Sequence, residues 1–335
     1  MSRTPPRRAP EAPARASAAL DAETEDLLER GRTLDKHALA RLVSLVERDG
    51  AEARARRAAL FRHLAAHPDR FPPRARVVGI TGTPGAGKST LIGRLAMRLL
   101  ERHPETSVAM LAIDPTSVRS GGALLGDRLR THFPVGERRL FFRSQATGGE
   151  LGGMGRRTFA VARLLRHLVD LVFVETVGVG QSEIEVSRLA DLTVLILQPL
   201  TGDHVQFMKA GVMEVPDVFV INKCDEESLA RRSLHELRAT LDFARVAAPE
   251  ARIVLTSGVT GRGIDELLDV VLAAPSRDPD WSGRERVFLE KAVADEYGRF
   301  GLEALAAARA ALPAGASYEE AEDAALDAVR ARLRG

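Results

Sequence analysis

Six short apolar runs, separated by helical patterns, constrain the fold of this chain more than any other feature of its sequence. They begin at residues 76, 107, 171, 192, 218 and 252 and read RVVGITG, SVAMLAID, LVFVET, LTVLILQ, VFVINKCD and RIVLTSG. Strands that helices cover on both faces need near-continuous apolar sequence, and such strands pair in parallel. The pattern therefore predicts an α/β fold with a doubly wound, mainly parallel sheet between about residues 73 and 275.

Helical sequence flanks this region on both sides. Residues 1–18 are rich in Pro and Arg and predict a disordered tail, whereas residues 19–72 carry apolar positions at helical spacing. Residues 276–335 contain two further helical stretches, with a break between Pro313 and Gly315. A helical extension outside a complete α/β core often buries its apolar stripe on a partner. We expect this extension either to cap the sheet or to serve as a dimerisation arm.

Composition excludes fibrous, collagenous and largely disordered proteins, since 45% of the residues are hydrophobic and 28% are charged. Lys plus Arg total 48 against 46 Asp plus Glu, which gives no reason to expect a nucleic-acid or membrane partner. Cys224 is the single cysteine, so an internal disulfide cannot form. No apolar run approaches the roughly 20 residues of a membrane helix. These observations predict a cytoplasmic protein.

A phosphate-binding loop follows the first apolar run. Residues 82–89 read GTPGAGKS and fit the pattern G-x-x-x-x-G-K-[ST], ahead of an amphipathic helix. Glycines at these positions let backbone N–H groups face an anion, while Lys88 reaches the terminal phosphates and Ser89 ligates magnesium. The motif predicts a P-loop NTPase. Its expected nucleotide contacts are Gly82, Thr83, Pro84, Gly85, Ala86, Gly87, Lys88, Ser89 and Thr90.

A second motif, N-K-x-D, follows the run at 218 and is typical of guanine-specific proteins. The Asp225 carboxylate can accept two hydrogen bonds from the N1–H and amine of guanine, whereas adenine offers no such donor pair. The aliphatic stem of Lys223 can cover the base, and Asn222 can hold the loop. The motif favours GTP over ATP. A further guanine contact is expected where the last run ends, at Thr256, Ser257 and Gly258.

Acidic residues provide candidate magnesium ligands. Asp114 ends the second predicted strand and Asp127 lies on a predicted short helical stretch, and either could reach the magnesium or orient the attacking water. Glu175 ends the third predicted strand and is placed to hold magnesium through water, while Gly178 can offer its N–H to the γ-phosphate. The predicted metal set is Ser89, Asp114, Asp127 and Glu175, and the predicted catalytic set is Lys88, Asp114, Asp127 and Glu175.

Hydrolysis is expected to be slow. No glutamine directly follows Gly178, where signalling GTPases carry their water-positioning residue. Residues 179–182 are expected to move with the phosphate state. Three arginines in the segment after Asp114 have two possible roles, and they are Arg119, Arg128 and Arg130. They could neutralise phosphate charge once a partner orders the loop, or they could simply lie on the surface of a helix.

Several strings in the sequence resemble the MeaB/ArgK family of P-loop GTPases. They are the P-loop, IDPTSVRSGGALLGDR at 113, ETVGVGQSE at 175, LTGDHVQFMKAGVMEVPD at 200 and NKCD at 222, and the resemblance runs from about Leu34 to about Leu272. It implies bound GTP or GDP with Mg²⁺ and a guanine contact by Asp225. It also implies that nucleotide, magnesium and hydrolysis are served by Lys88, Ser89, Asp114, Asp127 and Glu175.

The resemblance further implies a chaperone of an adenosylcobalamin-dependent acyl-CoA mutase, which gates cofactor loading and protects or reactivates the mutase. The adenosylcobalamin would belong to that partner, which would also stimulate the slow GTPase. Members of the family dimerise through C-terminal elements, which here implies a homodimer built on residues 283–335.

Two other functions use a P-loop and stay open as alternatives. A small-molecule kinase or ATPase would need an acceptor pocket and a lid, and the sequence offers no identifiable one. A metal-insertion GTPase would carry a His-rich or Cys-rich tract, whereas the 8 His and 1 Cys of this chain do not cluster.

Overall fold

The computed structural model describes residues 19–114, 136–146, 154, 157–176, 182–199, 214–244, 252–276, 281–313 and 315–334. Seven strands in this part of the chain form one sheet, in the order β3-β2-β4-β1-β5-β6-β7, and every neighbouring pair is parallel. The strands are β1 Arg76–Gly82, β2 Val108–Asp114, β3 Leu140–Ala146, β4 Leu171–Glu175, β5 Leu192–Leu197, β6 Val218–Ile221 and β7 Arg252–Leu255. The predicted doubly wound α/β fold is thus confirmed.

Helices precede, cover and follow this sheet. The three before it are α1 Ala22–Arg32, α2 Lys36–Glu47 and α3 Ala51–Ala66. Those between strands or directly after β7 are α4 Lys88–Arg102, α5 Thr158–Leu165, α6 Ser182–Leu189, α7 Glu227–Ala244 and α8 Ile264–Ala273. The last two are α9 Ser282–Ala311 and α10 Tyr318–Arg334. The predicted disordered tail, residues 1–18, lies outside the described residues.

Strand β3 corrects the sequence-based expectation of six strands, none of which lay between residues 114 and 171. It pairs only with β2 among the described strands and so lies at the edge of the sheet. Only three of its seven residues are buried, because an edge strand is covered less completely than a central one. Its sequence, LFFRSQA, therefore lacks the continuous apolar run by which the other strands are predicted.

Separate apolar clusters form the core on the two faces of the sheet. On one face, α4 and α8 pack against Val78, Ile80 and Phe173. On the other, α1, α2, α5 and α6 pack against Val77 and Val172. Since residues alternate between faces along a strand, neighbouring residues such as Val77 and Val78 belong to different clusters.

The C-terminal helices are anchored to the α/β core at the start of α9. Trp281 is 1% exposed, and the guanidinium groups of Arg166 and Arg284 lie 4.3 and 4.9 Å from its ring centroid. Arg284 also pairs with Asp191, whose carboxylate accepts a hydrogen bond from the Val77 N–H. This buried cluster joins α9 to the beginnings of β1 and β5. Among helices of the described residues, none has an apolar stretch sufficient to cross a bilayer.

Candidate nucleotide-binding site

The carboxyl ends of the parallel strands bring the predicted site residues to one edge of the sheet. Gly82 ends β1, Asp114 ends β2 and Glu175 ends β4, while Asn222 directly follows β6 and Thr256 directly follows β7. Ligands of open parallel sheets bind at this edge, near the point where the strand order reverses direction. The order of this sheet places that point at the end of β1.

The P-loop connects β1 to α4 and depends on two glycines. A β-carbon on Gly82 would lie 2.0 Å from the Ile196 carbonyl oxygen, and one on Gly87 would lie 2.7 Å from Nδ2 of Asn222. Both residues have positive φ angles, 141° and 85°, which disfavour any side chain. Positions 82 and 87 therefore require glycine for the P-loop to keep this conformation.

Lys88 begins α4 and its ammonium lies over the P-loop. Nζ donates hydrogen bonds to the carbonyl oxygens of Gly82, at 2.9 Å, and Thr83, at 3.2 Å. The residue is 8% exposed. The arrangement supplies a compact positive charge at the N-terminus of a helix, where backbone N–H groups also favour an anion.

The side chain of Ser89, in the first turn of α4, contacts that of Glu175, at the end of β4. The Ser89 hydroxyl donates to Oε1 of Glu175 at 2.7 Å. Thr176 supports this geometry because its N–H donates to the Ile80 carbonyl and its hydroxyl contacts that of Thr81 at 3.0 Å. The structure thus brings the P-loop serine and the acidic residue at the end of β4 into hydrogen-bond contact.

The donors at this edge fit a magnesium ion that is bound together with a nucleotide. Within the described residues there is no group of three or more His, Cys, Asp or Glu side chains that could hold a metal. Mg²⁺, however, is usually bound by one or two protein oxygens, and phosphates and water complete its octahedron. The hydroxyl of Ser89 and the carboxylates of Glu175 and Asp114 are hard oxygen donors of this kind.

Asp114 lies beside Glu175 on the neighbouring strand. Ala112 is opposite Glu175 in the pairing of β2 with β4, so Asp114 stands two residues further toward the carboxyl edge. It is 1% exposed, and the Ser144 hydroxyl on β3 donates to its Oδ2. Other predicted site residues lie outside the described residues, namely Asp127, Gly178, Arg119, Arg128 and Arg130.

One side chain amide joins three loops of the site. Nδ2 of Asn222 donates to the Ala86 carbonyl of the P-loop at 2.9 Å. Its Oδ1 accepts hydrogen bonds from the Thr256 hydroxyl at 3.1 Å and the Gly258 N–H at 3.3 Å. Because Asn222 is 2% exposed, these bonds are shielded from water. The N-K-x-D motif, the P-loop and residues 256–258 therefore form one continuous structure.

The Asp225 carboxylate is exposed and oriented by a neighbouring hydroxyl. Oγ of Ser257 donates to its Oδ1 at 2.5 Å, and Ser257 itself is fully buried. Lys223, with a φ angle of 63°, extends its ammonium to Oε1 of Gln198 at 3.0 Å. The motif assigns the base to the space beside this carboxylate and the lysine stem.

The single cysteine lies inside the same motif. Cys224 is 1% exposed, and its thiol donates to the Ile221 carbonyl at 3.1 Å. Burial raises the pKa of the thiol above its ordinary value. The side chain therefore packs beneath the loop as a small apolar group, while Lys223 and Asp225 on either side of it are exposed.

Sequence reasoning missed two residues that contact the site. Ser144 holds Asp114, and it was overlooked because β3 was not predicted as a strand. Gln198 accepts from Lys223, and its place directly after β5, the strand next to β1, was the available signal. Polar residues just beyond a central parallel strand lie at the ligand edge of the sheet.

A P-loop between β1 and α4, acidic residues at the ends of β2 and β4, and an N-K-x-D motif after β6 together define a P-loop nucleotide-binding protein. The family model described as "Methylmalonyl Co-A mutase-associated GTPase MeaB" matches residues 39–277, more than two thirds of the chain. The chain therefore belongs to the MeaB family, and the resemblance seen in the sequence is confirmed.

Relatives of known name agree with this membership. A candidate GTPase of Pyrococcus horikoshii is 40% identical over 252 residues, which are 74% of this chain and 76% of the relative. The GTPase ArgK of Escherichia coli is 37% identical over 58% of this chain and 60% of its own length. A crystal structure of an LAO/AO transport system kinase has a TM-score of 0.58 and 23% identity, covers 95% of this chain and 100% of its own, and supports the fold.

Proposed function

We propose that this protein binds GTP and GDP with Mg²⁺ and hydrolyses GTP to GDP and phosphate. The observation that carries this proposal is the Asn222 amide, which ties the P-loop to the loops that present Asp225 and Ser257. A phosphate cradle and a guanine-selective carboxylate are thereby held at a fixed separation. ATP would leave that carboxylate without its two donors, which disfavours adenine.

In this proposal each residue has a distinct task. The P-loop N–H groups and Lys88 balance the phosphate charge, and Ser89 and Glu175 would hold the magnesium, Glu175 through a water. A bound magnesium ion would neutralise charge that develops on the phosphates during hydrolysis. Asp114 is assigned to the magnesium shell or to the attacking water. The sequence alone assigns Asp127 to the same group and Gly178 to a γ-phosphate contact.

Intrinsic hydrolysis is proposed to be slow and stimulated by a partner. Positioning of the attacking water by a glutamine is a large part of catalysis in signalling GTPases, and no glutamine directly follows Gly178. The partner would then supply or order the missing group. The rate is expected to stay low until that partner binds.

The proposed partner is an adenosylcobalamin-dependent acyl-CoA mutase. The family is named for its association with methylmalonyl-CoA mutase, and a mouse relative, 38% identical over 58% of this chain and 48% of its own length, is named "Methylmalonic aciduria type A homolog, mitochondrial". GTP binding and hydrolysis would gate delivery of the cofactor and exchange of damaged cofactor. We assign the complex to the cytoplasm, and the chain to a homodimer through residues 283–335.

Co-purification with a mutase tests this function. The full chain is mixed with an acyl-CoA mutase purified from the same source and separated by size, and GTP hydrolysis is measured with and without the mutase. We expect co-elution and a faster rate, and we expect the Lys88→Ala variant to lose hydrolysis in both conditions. Absence of both co-elution and acceleration would remove the chaperone role, whereas unchanged hydrolysis by Lys88→Ala would remove the P-loop assignment.

A further inference from the structure

Glu47, the last residue of α2, forms hydrogen bonds with two side chains of the edge strand β3. Oε1 of Glu47 accepts a hydrogen bond from Nε2 of Gln145 at 2.9 Å and one from Nε of Arg143 at 3.2 Å. The second carboxylate oxygen of Glu47 accepts from Nη2 of Arg143, which also reaches the Ser44 hydroxyl at 3.3 Å. A helix that precedes the sheet in sequence is thus joined to β3 by a bidentate ion pair and an amide.

Ser144 lies between these two residues and faces the opposite side of the strand. Side chains alternate across a strand, so Arg143 and Gln145 point toward α2 while Ser144 points away from it. On that side its hydroxyl donates to Oδ2 of Asp114. Glu47 and Asp114 are therefore connected through three consecutive residues of one strand.

Because β3 lies at the edge of the sheet, its contacts with Glu47 are important for holding the strand in place. Among the described strands β3 has one neighbour, β2, so backbone hydrogen bonds restrain it on a single side. Gln145 is 6% exposed and the Arg143 and Glu47 side chains are 30% and 21% exposed. The contacts with Glu47 are half-buried, and they restrain β3 in addition to its backbone hydrogen bonds with β2.

We propose that Glu47 is a positioning residue for the magnesium site: it holds β3 against α2 so that Ser144 fixes the orientation of Asp114. The inference rests on the proposed function, in which Asp114 serves the magnesium or its water. Hydrogen-bond partners of metal-binding groups usually change metal affinity or activity by about 10–100-fold when they are lost. Half-exposed ion pairs, by contrast, contribute little to overall stability, so the two effects are separable.

The test compares the Mg²⁺ requirement of matched variants in the full chain. The Mg²⁺ concentration that gives half-maximal GTP hydrolysis is measured at saturating GTP, together with GDP affinity in excess chelator and the thermal midpoint. The variants are Glu47→Gln, Ser144→Ala and their combination. Glu29→Gln is the control, because Glu29 pairs with Arg70 at 2.6 Å in the same N-terminal region without contacting β3.

We expect the half-maximal Mg²⁺ concentration to rise about 10-fold in Ser144→Ala and severalfold in Glu47→Gln, with GDP affinity in chelator unchanged. The combined variant should resemble Ser144→Ala, because both residues act through one contact. Glu29→Gln should match the wild type. Should Glu47→Gln fail to fold, Arg143→Gln interrupts the same link from the strand side and carries the same expectation.

The inference would be overturned by an unchanged Mg²⁺ requirement in Glu47→Gln, by additive shifts in the combined variant, or by an equal shift in Glu29→Gln. A loss of GDP affinity in chelator that matches the loss of activity would also overturn it, because that points to general loosening. A wild-type protein that does not hydrolyse GTP would instead overturn the proposed function.

Discussion

At the scale of single residues, specificity for the base depends on Asp225. The carboxylate is exposed, and Ser257 restrains one of its oxygens. Replacing it by Asn converts one acceptor oxygen into a donor, which suits xanthine and opposes guanine. Hydrogen bonds to charged groups contribute about 1.5–3 kcal/mol each, so we expect Asp225→Asn to lower GTP affinity about 100-fold and to favour xanthosine triphosphate.

Titration calorimetry of each nucleotide into the wild type and the variant measures this change. The adjacent exposed carboxylate in Glu226→Gln is the control and should leave both affinities as they are. Equal losses of GTP and xanthosine triphosphate affinity in Asp225→Asn would contradict the base assignment.

Gly87 places a steric limit on the P-loop. In Gly87→Ala the new β-carbon would lie 2.7 Å from Nδ2 of Asn222 and would displace the amide that joins the three loops. We expect GDP affinity to fall at least 10-fold by titration calorimetry, since one buried hydrogen bond of about 1–1.5 kcal/mol is lost and the cradle shifts. Gly50→Ala introduces a residue at a φ of 106° with nothing within 4 Å. That control should cost some stability and leave GDP binding unchanged.

At the scale of secondary structure elements, the central strands were predictable and the edge strand was not. Strands such as β5, with six consecutive buried residues, are recognisable in the sequence as apolar runs. β3 is only partly covered, and Arg143 and Gln145 form polar contacts with α2. The local sequence pattern does not predict such contacts between distant parts of the chain. The site followed the same rule: P-loop and N-K-x-D residues were predictable from their motifs, whereas Ser144 depended on recognising its strand.

The attachment of α9 to the α/β core leads to a prediction about stability. Nη2 of Arg284 lies 2.6 Å from Oδ1 of Asp191, and the two side chains are 5% and 1% exposed. Removing one partner of such a pair leaves a buried charge, which typically costs about 3–5 kcal/mol. Urea unfolding should show this loss in Arg284→Met.

Two comparisons isolate the ion pair itself. Arg284→Met combined with Asp191→Asn should lose less than the sum of the single changes, because neither variant partner is then left charged. Arg286→Met is the control on the same helix, since Arg286 is 74% exposed and pairs with Glu290 at 3.3 Å. A loss in that control of more than about 1 kcal/mol would contradict the distinction between buried and exposed pairs.

At the scale of the whole molecule, stability should fall as the pH falls from about 6.5 toward 4. Burial, with the neighbouring Arg166 and Arg163 adding to it, lowers the pKa of His167 from 6.5 to about 4, although its Nδ1–H donates to the Phe71 carbonyl at 2.7 Å. The unfolded chain then binds more protons than the folded one in this window, so the stabilisation is complete above about pH 6.5 and is lost below it.

The His167→Gln variant measures this contribution. Between pH 7 and pH 5 the wild type should lose about 2 kcal/mol more unfolding free energy than the variant does, as measured in urea. A parallel decrease in both proteins would show that other groups are responsible. Protonation adds a proton at Nε2 and leaves the Nδ1–H bond to the Phe71 carbonyl in place, so the loss comes from charging a buried ring.

The buried thiol of Cys224 allows opening of the base loop to be followed by chemical labelling. With 1 cysteine in 335 residues, a thiol reagent can modify only this site, and the side chain becomes accessible only when the loop over it opens. Bound GDP should slow the labelling by holding the base loop closed, and release should restore it. At reagent concentrations where modification outpaces reclosing, time courses of labelling would therefore give the opening rate of the base loop in the wild-type chain.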